Sequence, residues 1–297
     1  MSTRLTKFEH FEWLDMQKPK KEMLTSDSLP FPVEINLLED ALEHGHLPKV
    51  EKQGQHLFII LRAFSVEPKY TAADVAKLTN KIAFLVNDKV LITIHQKPFT
   101  FLDQLADQHF ESTEDLMLQI ISLMLETFEA PLDWLSGKMD ESEQEIFLSH
   151  HKKISLNSLY YQKAKARICR KVLQLSQNVL NQLEVKHENK SKLQDLKETT
   201  LSYQLHFDEI VEDAHALMHT HMSLSAQKSN EVMKLLTVFS AFFFTTHVYC
   251  GSLRNELPIH ARASVGTRIF RYLGHHDRYL DRYIPVVQKK KVYLTYP

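Results

Sequence analysis

The stretch SNEVMKLLTVFSAFF, from Ser229 to Phe243, lies where the chain changes from polar to apolar. It belongs to a run between Gly137 and Gly251 that contains neither proline nor glycine, and in which leucine, isoleucine and valine recur at three- and four-residue spacing. That spacing places apolar side chains on one face of a helix. We therefore predict long packed helices, the last of them from about Ser191 to Phe244. Helices of this length are typical of coiled-coil or membrane-linked stalks.

The apolar end of this helix is a poor membrane segment. Residues Leu235 to Leu253, LLTVFSAFFFTTHVYCGSL, carry no formal charge, but two threonines, a histidine and a serine occupy the second half. A spanning helix needs about 20 predominantly apolar residues. The sequence predicts half a transmembrane span here. From Thr245 to Pro297 we find no helical or strand period, and nine Lys/Arg stand against three Asp/Glu.

The first hundred residues indicate mixed α and β structure. The apolar run Leu57 to Phe64 predicts a buried strand, and KIAFLV and KVLITIHQ flank the turn-prone pair Asn87-Asp88 as a β-hairpin. Ser112 or Thr113 caps a predicted helix that Pro131 breaks or kinks. The polar stretch NQLEVKHENKSKLQDL predicts a turn between two long helices. The fold class is therefore α+β.

Composition excludes several classes of function. Thirty-six Lys+Arg balance 37 Asp+Glu, so the net charge of -1 gives no reason to expect a nucleic acid partner. Two cysteines, Cys169 and Cys250, cannot build a disulfide framework. The sequence contains no Gly-rich phosphate loop, zinc knuckle or nucleophile elbow, so we expect neither an enzyme nor an organic cofactor.

The segment from Ser229 to Phe243 resembles the start of the first transmembrane helix of CorA magnesium channels, which reads NEVMK-x-LT-[IV] and then hydrophobic residues. The segment LLEDALEHGHLPKVEKQGQHLFIIL, from Leu37 to Leu61, is similar to that family's L-E-D…P-K-x-E…strand segment. The resemblance implies an N-terminal α/β cytoplasmic domain over residues 1–150, long stalk helices over 151–234 and a partial first transmembrane helix over 235–253. The family's Gly-Met-Asn signature and second span are missing.

A shifted reading frame explains this departure. Codons can be chosen so that removing one T from the run for Phe242 to Phe244 turns the following bases into FFLLPTFIVGVYGMN. Reading on gives FRYMPEL, a second apolar stretch and KRKR, in the family's order. We therefore hypothesise that the frame shifts after about Phe244, and that residues 254–297 are an aberrant basic tail.

The resemblance implies a homopentamer whose stalk helix continues into the pore. Asn230, Met233, Leu236 and Ser240 match pore-lining positions, and their spacing puts them on one helical face. Asn230 would offer an amide oxygen to a hydrated cation, and Met233 and Leu236 would form a constriction that gates by dewetting. Without the NEVMK context, ordinary helix packing would explain the two apolar residues equally well.

Asp40 and Asp195 match the family's regulatory Mg²⁺ pair, one on each side of a subunit interface. A bound Mg²⁺ would cancel the repulsion of the two carboxylates and hold the pentamer closed, and loss of the ion would loosen the interface. Taken singly, each would be a solvated surface acid.

The resemblance implies influx of Mg²⁺, and also of Co²⁺ or Ni²⁺, through the inner membrane, with membrane lipid as a further partner. One alternative is a soluble Mg²⁺-binding remnant that is cytoplasmic or poorly anchored. Another is a zinc-type transporter, because the resemblance extends to a superfamily with a zinc-transporting branch. His215 and His219 are one helical turn apart, a spacing that can bind a transition metal, with His221 and Asp213 nearby. Long polar helices also collect histidines by chance.

Overall fold

The computed structural model describes residues 2–20, 29–54, 56–70, 72–148 and 155–255, with side chains placed up to Thr245 and at His247. The chain divides into two compact units, residues 1–224 and 225–297.

A six-stranded mixed sheet forms the centre of the first unit. Its strands are β1 (Ser2–Lys7), β2 (Glu12–Gln17), β3 (Lys49–Gln53), β4 (His56–Phe64), β5 (Thr79–Val86) and β6 (Val90–His95). Their order across the sheet is β1-β2-β6-β5-β4-β3. The β2–β6 pair is parallel and the other four pairs are antiparallel.

The predicted strand and hairpin are confirmed. The run from Leu57 to Phe64 lies in β4, and β5 and β6 form the hairpin. The Asn87 Oδ1 atom accepts hydrogen bonds from the main-chain amides of Lys89 and Val90, both at 2.8 Å, which fixes the turn. Strands β1, β2 and β3 were not predicted from the sequence.

Seven α-helices lie in the described part of the chain: α1 (Ile35–Leu42), α2 (Val75–Leu78), α3 (Thr100–Leu105), α4 (Thr113–Glu126), α5 (Glu129–Leu148), α6 (Leu156–Gln182) and α7 (Lys190–Asn255). The Ser112 Oγ atom accepts a hydrogen bond of 3.2 Å from the Asp115 amide, so Ser112 caps α4 as predicted. Pro131 lies in the first turn of α5, where its missing amide hydrogen costs least.

The sheet separates two apolar cores. Alternate residues of β5 point to opposite faces, so Ile82 and Phe84 pack with α4, α6 and α7, whereas Ala83 and Leu85 pack with α1. This alternation explains why β5 is buried along its whole length. It also places α1 and the first part of α7 on opposite sides of the sheet.

The long helix α7 begins at Lys190, one residue before its predicted start, and the short turn ahead of it includes a 3₁₀ helix, His187–Asn189. Its predicted end was wrong, because the helix continues past Phe244 to Asn255. The Thr245 hydroxyl donates to the Ala241 carbonyl at 3.0 Å within this extension, and no proline interrupts the hydrogen-bond ladder before Pro258. Of the helices that the structure describes, none has both the length and the hydropathy needed to cross a membrane.

Candidate functional site

The last turn of α1 places Asp40 at the edge of the second core. Leu37, Leu38 and Ala41 anchor the helix on the sheet, and the Asp40 side chain beside them is about one-quarter exposed. After Leu42 the chain leaves the helix and returns through a short loop to β3. His46 of this loop and Lys49 of β3 contact the Asp40 carboxylate.

Lys49 is the main partner of Asp40. Its ammonium group donates to Asp40 Oδ2 and also to Glu51 Oε1 at 2.5 Å, and it lies 5.4 Å from the centre of the Phe58 ring. Partial burial raises the pKa of Asp40, but the Lys49 hydrogen bond and the charges of Lys49, His46 and Lys81 outweigh burial and lower the pKa below its ordinary value. Asp40 is therefore a carboxylate anion at neutral pH.

Two buried cations hold the main chain around Asp40. Arg62 and Lys81 lie directly opposite each other on β4 and β5, a pairing that repels in isolation. Arg62 donates to the carbonyl oxygens of His46 at 2.7 Å and His44 at 3.3 Å, and Lys81 donates to the carbonyl of Asp40. Carbonyl dipoles and the nearby carboxylates thus compensate the two positive charges and fix the shape of the loop.

Burial and the charge of Arg62 together lower the pKa of Lys81 to about 8, although the charges of Asp40 and Glu43 oppose the change. Lys81 is only 4% exposed. Its ammonium group is therefore largely shielded from water, and the Asp40 carbonyl accepts its hydrogen bond instead.

Glu43 and His46 form a cluster of three side chains with Asp40. The His46 Nε2 atom lies 3.0 Å from Asp40 Oδ1 and 2.8 Å from Glu43 Oε2. Within the ranges that the structure describes, these three residues are the one cluster of three or more side chains whose ligand atoms could hold a metal ion. The sequence prediction named Asp40 but missed Glu43, His46 and Lys49.

Asp195 does not meet Asp40 within one chain. It is an exposed residue near the start of α7, whose Leu193 and Leu196 pack in the first core, across the sheet from α1. The two aspartates therefore lie on helices that pack in different cores, on opposite faces of the sheet.

The four residues predicted to line a pore all lie on α7. Every side chain from Ser225 to Thr245 is exposed, and the exposed fractions of Met233 and Leu236 are 63% and 62%. Large apolar side chains also project from the other sides of this segment, including Val232, Val238 and Phe244. A helix that is apolar all round is ordinarily covered by lipid or by other helices.

The histidines of the zinc alternative are adjacent on α7. The His215 and His219 rings are nearly perpendicular, with centroids 4.5 Å apart. Burial raises the pKa of Asp213, and the charges of Glu209, Glu143 and further acids add to the increase. Asp213 therefore faces a negatively charged surface formed by α5 and α7.

Comparison with known proteins agrees with this architecture. The profile of a family described as "CorA-like Mg2+ transporter protein" matches residues 8–246. The sequence is 22% identical over 248 residues to the cobalt/magnesium transport protein CorA of Methanocaldococcus jannaschii, which covers 78% of this chain and 75% of that protein.

Two solved structures share the fold. The complete CorA magnesium transporter from Methanocaldococcus jannaschii superposes with a TM-score of 0.77 at 20% identity, over 94% of this chain and 91% of that one. The cytoplasmic domain of ZntB from Vibrio parahaemolyticus superposes with a TM-score of 0.59 at 12% identity, over 74% of this chain and 90% of that one.

The profile match places the chain in a family of transporters, which is not a class of enzymes. Because the family profile covers most of its length, this chain belongs to the CorA-like Mg²⁺ transporter family.

Proposed function

We propose that this chain derives from a homopentameric channel that carries Mg²⁺, and also Co²⁺ or Ni²⁺, passively into the cell. The observation that carries the proposal is the part of α7 from Leu235 to Phe244, directly after the NEVMK segment, where large apolar side chains are exposed on several sides of the helix. Five such helices around an axis would cover one face of each helix, and lipid would cover the rest.

Asn230, Met233, Leu236 and Ser240 line the pore in this proposal. Their spacing of three, three and four residues keeps them on one helical face. Mg²⁺ sheds its water reluctantly, so the Asn230 amide oxygen contacts a largely hydrated ion. The Met233 and Leu236 side chains close the pore by excluding water when they approach the axis.

Intracellular Mg²⁺ gates the channel through Asp40 and Asp195 of neighbouring subunits. Both carboxylates retain solvent access in the single chain, and oxygen ligands suit Mg²⁺. Mg²⁺ must compete with the Lys49 ammonium group for Asp40. This competition favours regulation by an ion present at millimolar concentration over regulation by a trace ion.

A frame shift after about Phe244 accounts for the remainder of the sequence. The family match ends at residue 246, and none of the described helices is suited to cross a membrane. The chain as written would then be a transport-incompetent remnant that keeps the cytoplasmic Mg²⁺-binding part, whereas the frame-restored protein would reside in the inner membrane.

A zinc-type transporter is the second candidate. The similarity of the fold to the ZntB cytoplasmic domain and the adjacent rings of His215 and His219 favour it. Under this candidate Zn²⁺ would bind more tightly than Mg²⁺, and replacing both histidines would abolish the preference.

Transport in proteoliposomes tests the proposal. The chain as written and a version with one T removed from the Phe242–Phe244 codons are reconstituted, and uptake is followed with an internal Mg²⁺ indicator. We expect membrane-potential-driven uptake with the frame-restored version alone, and a strong reduction of that uptake in its Asn230→Leu variant. Equal uptake by the two versions, or none by the restored one, would contradict the proposal.

A further inference from the structure

The end of α1 and the following loop bring two carboxylates and one imidazole to a single point. The His46 Nε2 atom lies within 3.0 Å of an oxygen of Asp40 and within 2.8 Å of an oxygen of Glu43. One nitrogen carries at most one hydrogen and cannot satisfy both anions with well-directed bonds. The ligand atoms of all three side chains lie within 4.8 Å of one another. Two ligands that each lie about 2.0–2.2 Å from one metal ion are at most about 4.4 Å apart, and both distances from His46 Nε2 to the carboxylates are well within that limit.

The ligand set has a distinct metal preference. Imidazole nitrogen together with carboxylate oxygen suits Zn²⁺, Co²⁺ and Ni²⁺, whereas Mg²⁺ prefers an all-oxygen shell that includes several waters. The spacing is local, because Asp40 and Glu43 are three residues apart at the helix end and His46 follows three residues later. A single chain therefore supplies all three protein ligands.

Neighbouring side chains hold Asp40, Glu43 and His46 in place, and one cation, the ammonium group of Lys49, already lies against Asp40. Arg62 and Lys81 hold the carbonyls of His44, His46 and Asp40, which fixes the main chain that carries the ligands. The Lys49 ammonium group lies against Asp40 Oδ2 and has a second carboxylate, Glu51, within hydrogen-bond distance. When a metal ion takes Asp40, Lys49 can keep Glu51 as its partner.

We propose that Asp40, Glu43 and His46 form a transition-metal site within one chain, in which the bound ion replaces the ammonium group of Lys49. The site shares Asp40 with the regulatory pair of the proposed function but is complete without a neighbouring subunit and without transport. Its occupation by Zn²⁺, Co²⁺ or Ni²⁺ competes with Mg²⁺ for Asp40.

The test is titration of the full chain with Co²⁺, followed by the visible d–d absorption of the bound ion and by calorimetry. His215 and His219 are replaced by glutamine throughout, so that any site on α7 does not contribute. We expect His46→Gln and Glu43→Gln to weaken Co²⁺ binding at least tenfold, in line with the loss of a metal ligand. The matched control His44→Gln removes an exposed histidine of the same loop, and it should change binding less than twofold.

Lys49→Met gives a second, opposite readout. Removing the competing ammonium group should tighten Co²⁺ binding severalfold, an effect that general damage to the loop would not produce. Thermal melting without metal identifies any variant that fails to fold. Unchanged Co²⁺ binding in both His46→Gln and Glu43→Gln, or no tightening in a folded Lys49→Met variant, overturns the site. Because the assay needs neither membrane nor Mg²⁺, failure of Mg²⁺ transport leaves its result unaffected.

Discussion

Replacing Arg62 with methionine tests whether the buried cations of the sheet shape the loop around Asp40. Arg62 is 3% exposed and donates from Nε to the Thr79 hydroxyl at 2.7 Å and from Nη2 to the Thr79 carbonyl at 2.9 Å. Its Nη1 atom donates to the carbonyls of His46 and His44. Methionine fills much of the same volume but donates no hydrogen bond.

The magnitude follows from what the substitution leaves behind. The bonds to Thr79 are fully buried, and each buried acceptor without a donor costs about 1–3 kcal/mol. Loss of the two bonds to the loop adds to this cost, while removing a buried guanidinium group recovers part of it. We expect the free energy of unfolding to fall by about 3 kcal/mol, a change of about two orders of magnitude in the folding equilibrium.

Urea denaturation followed by circular dichroism measures the change. The matched control is Lys77→Met, which removes an exposed positive charge from α2 next to the same strand, and it should change stability by less than about 0.5 kcal/mol. Arg62→Lys should also destabilise, because an ammonium group cannot reproduce the planar fork. A loss below about 1 kcal/mol for Arg62→Met would be smaller than the usual cost of one buried unsatisfied group. Such a result would show that the hydrogen bonds of Arg62 do not hold the loop around Asp40.

Three further predictions concern the cap of α4, the pKa of Lys81 and the reactivity of the Cys169 thiol. Ser112→Ala removes the cap of α4 and should lower the free energy of unfolding by about 1 kcal/mol in urea melts, and no change would show that Ser112 does not cap. Because burial lowers the pKa of Lys81 to about 8 from an ordinary 10.5, the unfolded chain binds more protons between these pH values, so stability gains up to about 3 kcal/mol as pH rises across that window. Lys81→Met should lose this rise, and parallel curves for the two proteins would contradict the effect. Burial raises the pKa of the Cys169 thiol to about 12, with partial opposition from Lys165, so in a Cys250→Ser background a thiol reagent at pH 8 should react only after unfolding. Fast reaction of the folded protein would disprove that protection.

The parts of the fold predicted from sequence are those with local signals. The β5–β6 hairpin was predictable because apolar strands flank an Asn-Asp turn, and α4 because a serine cap precedes apolar helical spacing. The strand β1 was missed because it lies at the sheet edge with charged and exposed residues, and natural edge strands commonly have this composition. The parallel pairing of β2 with β6 joins residues about 78 apart, and no local pattern indicates it.

The residues of the site likewise divide into one with a local sequence signal and several that only the tertiary structure brings together. Asp40 was found through the L-E-D segment, but Glu43 and His46 join it only because α1 ends at Leu42 and the chain then turns back. Arg62 and Lys81 appear in the sequence as charges within apolar strands. Only the antiparallel register places them opposite each other and under the loop. Tertiary packing, rather than spacing along the chain, assembles the cations that hold the site.

The nucleotide sequence of the gene from the codons for Phe242 onward decides whether a shifted reading frame separates the end of this chain from the CorA-like family. We expect that removing one T from that run opens a frame encoding an apolar helix that ends in Gly-Met-Asn, then a second apolar stretch and a basic end. Stop codons or polar, aperiodic sequence in that frame would contradict it. The protein would then be a family member whose chain departs from the family after about Phe244 for another reason.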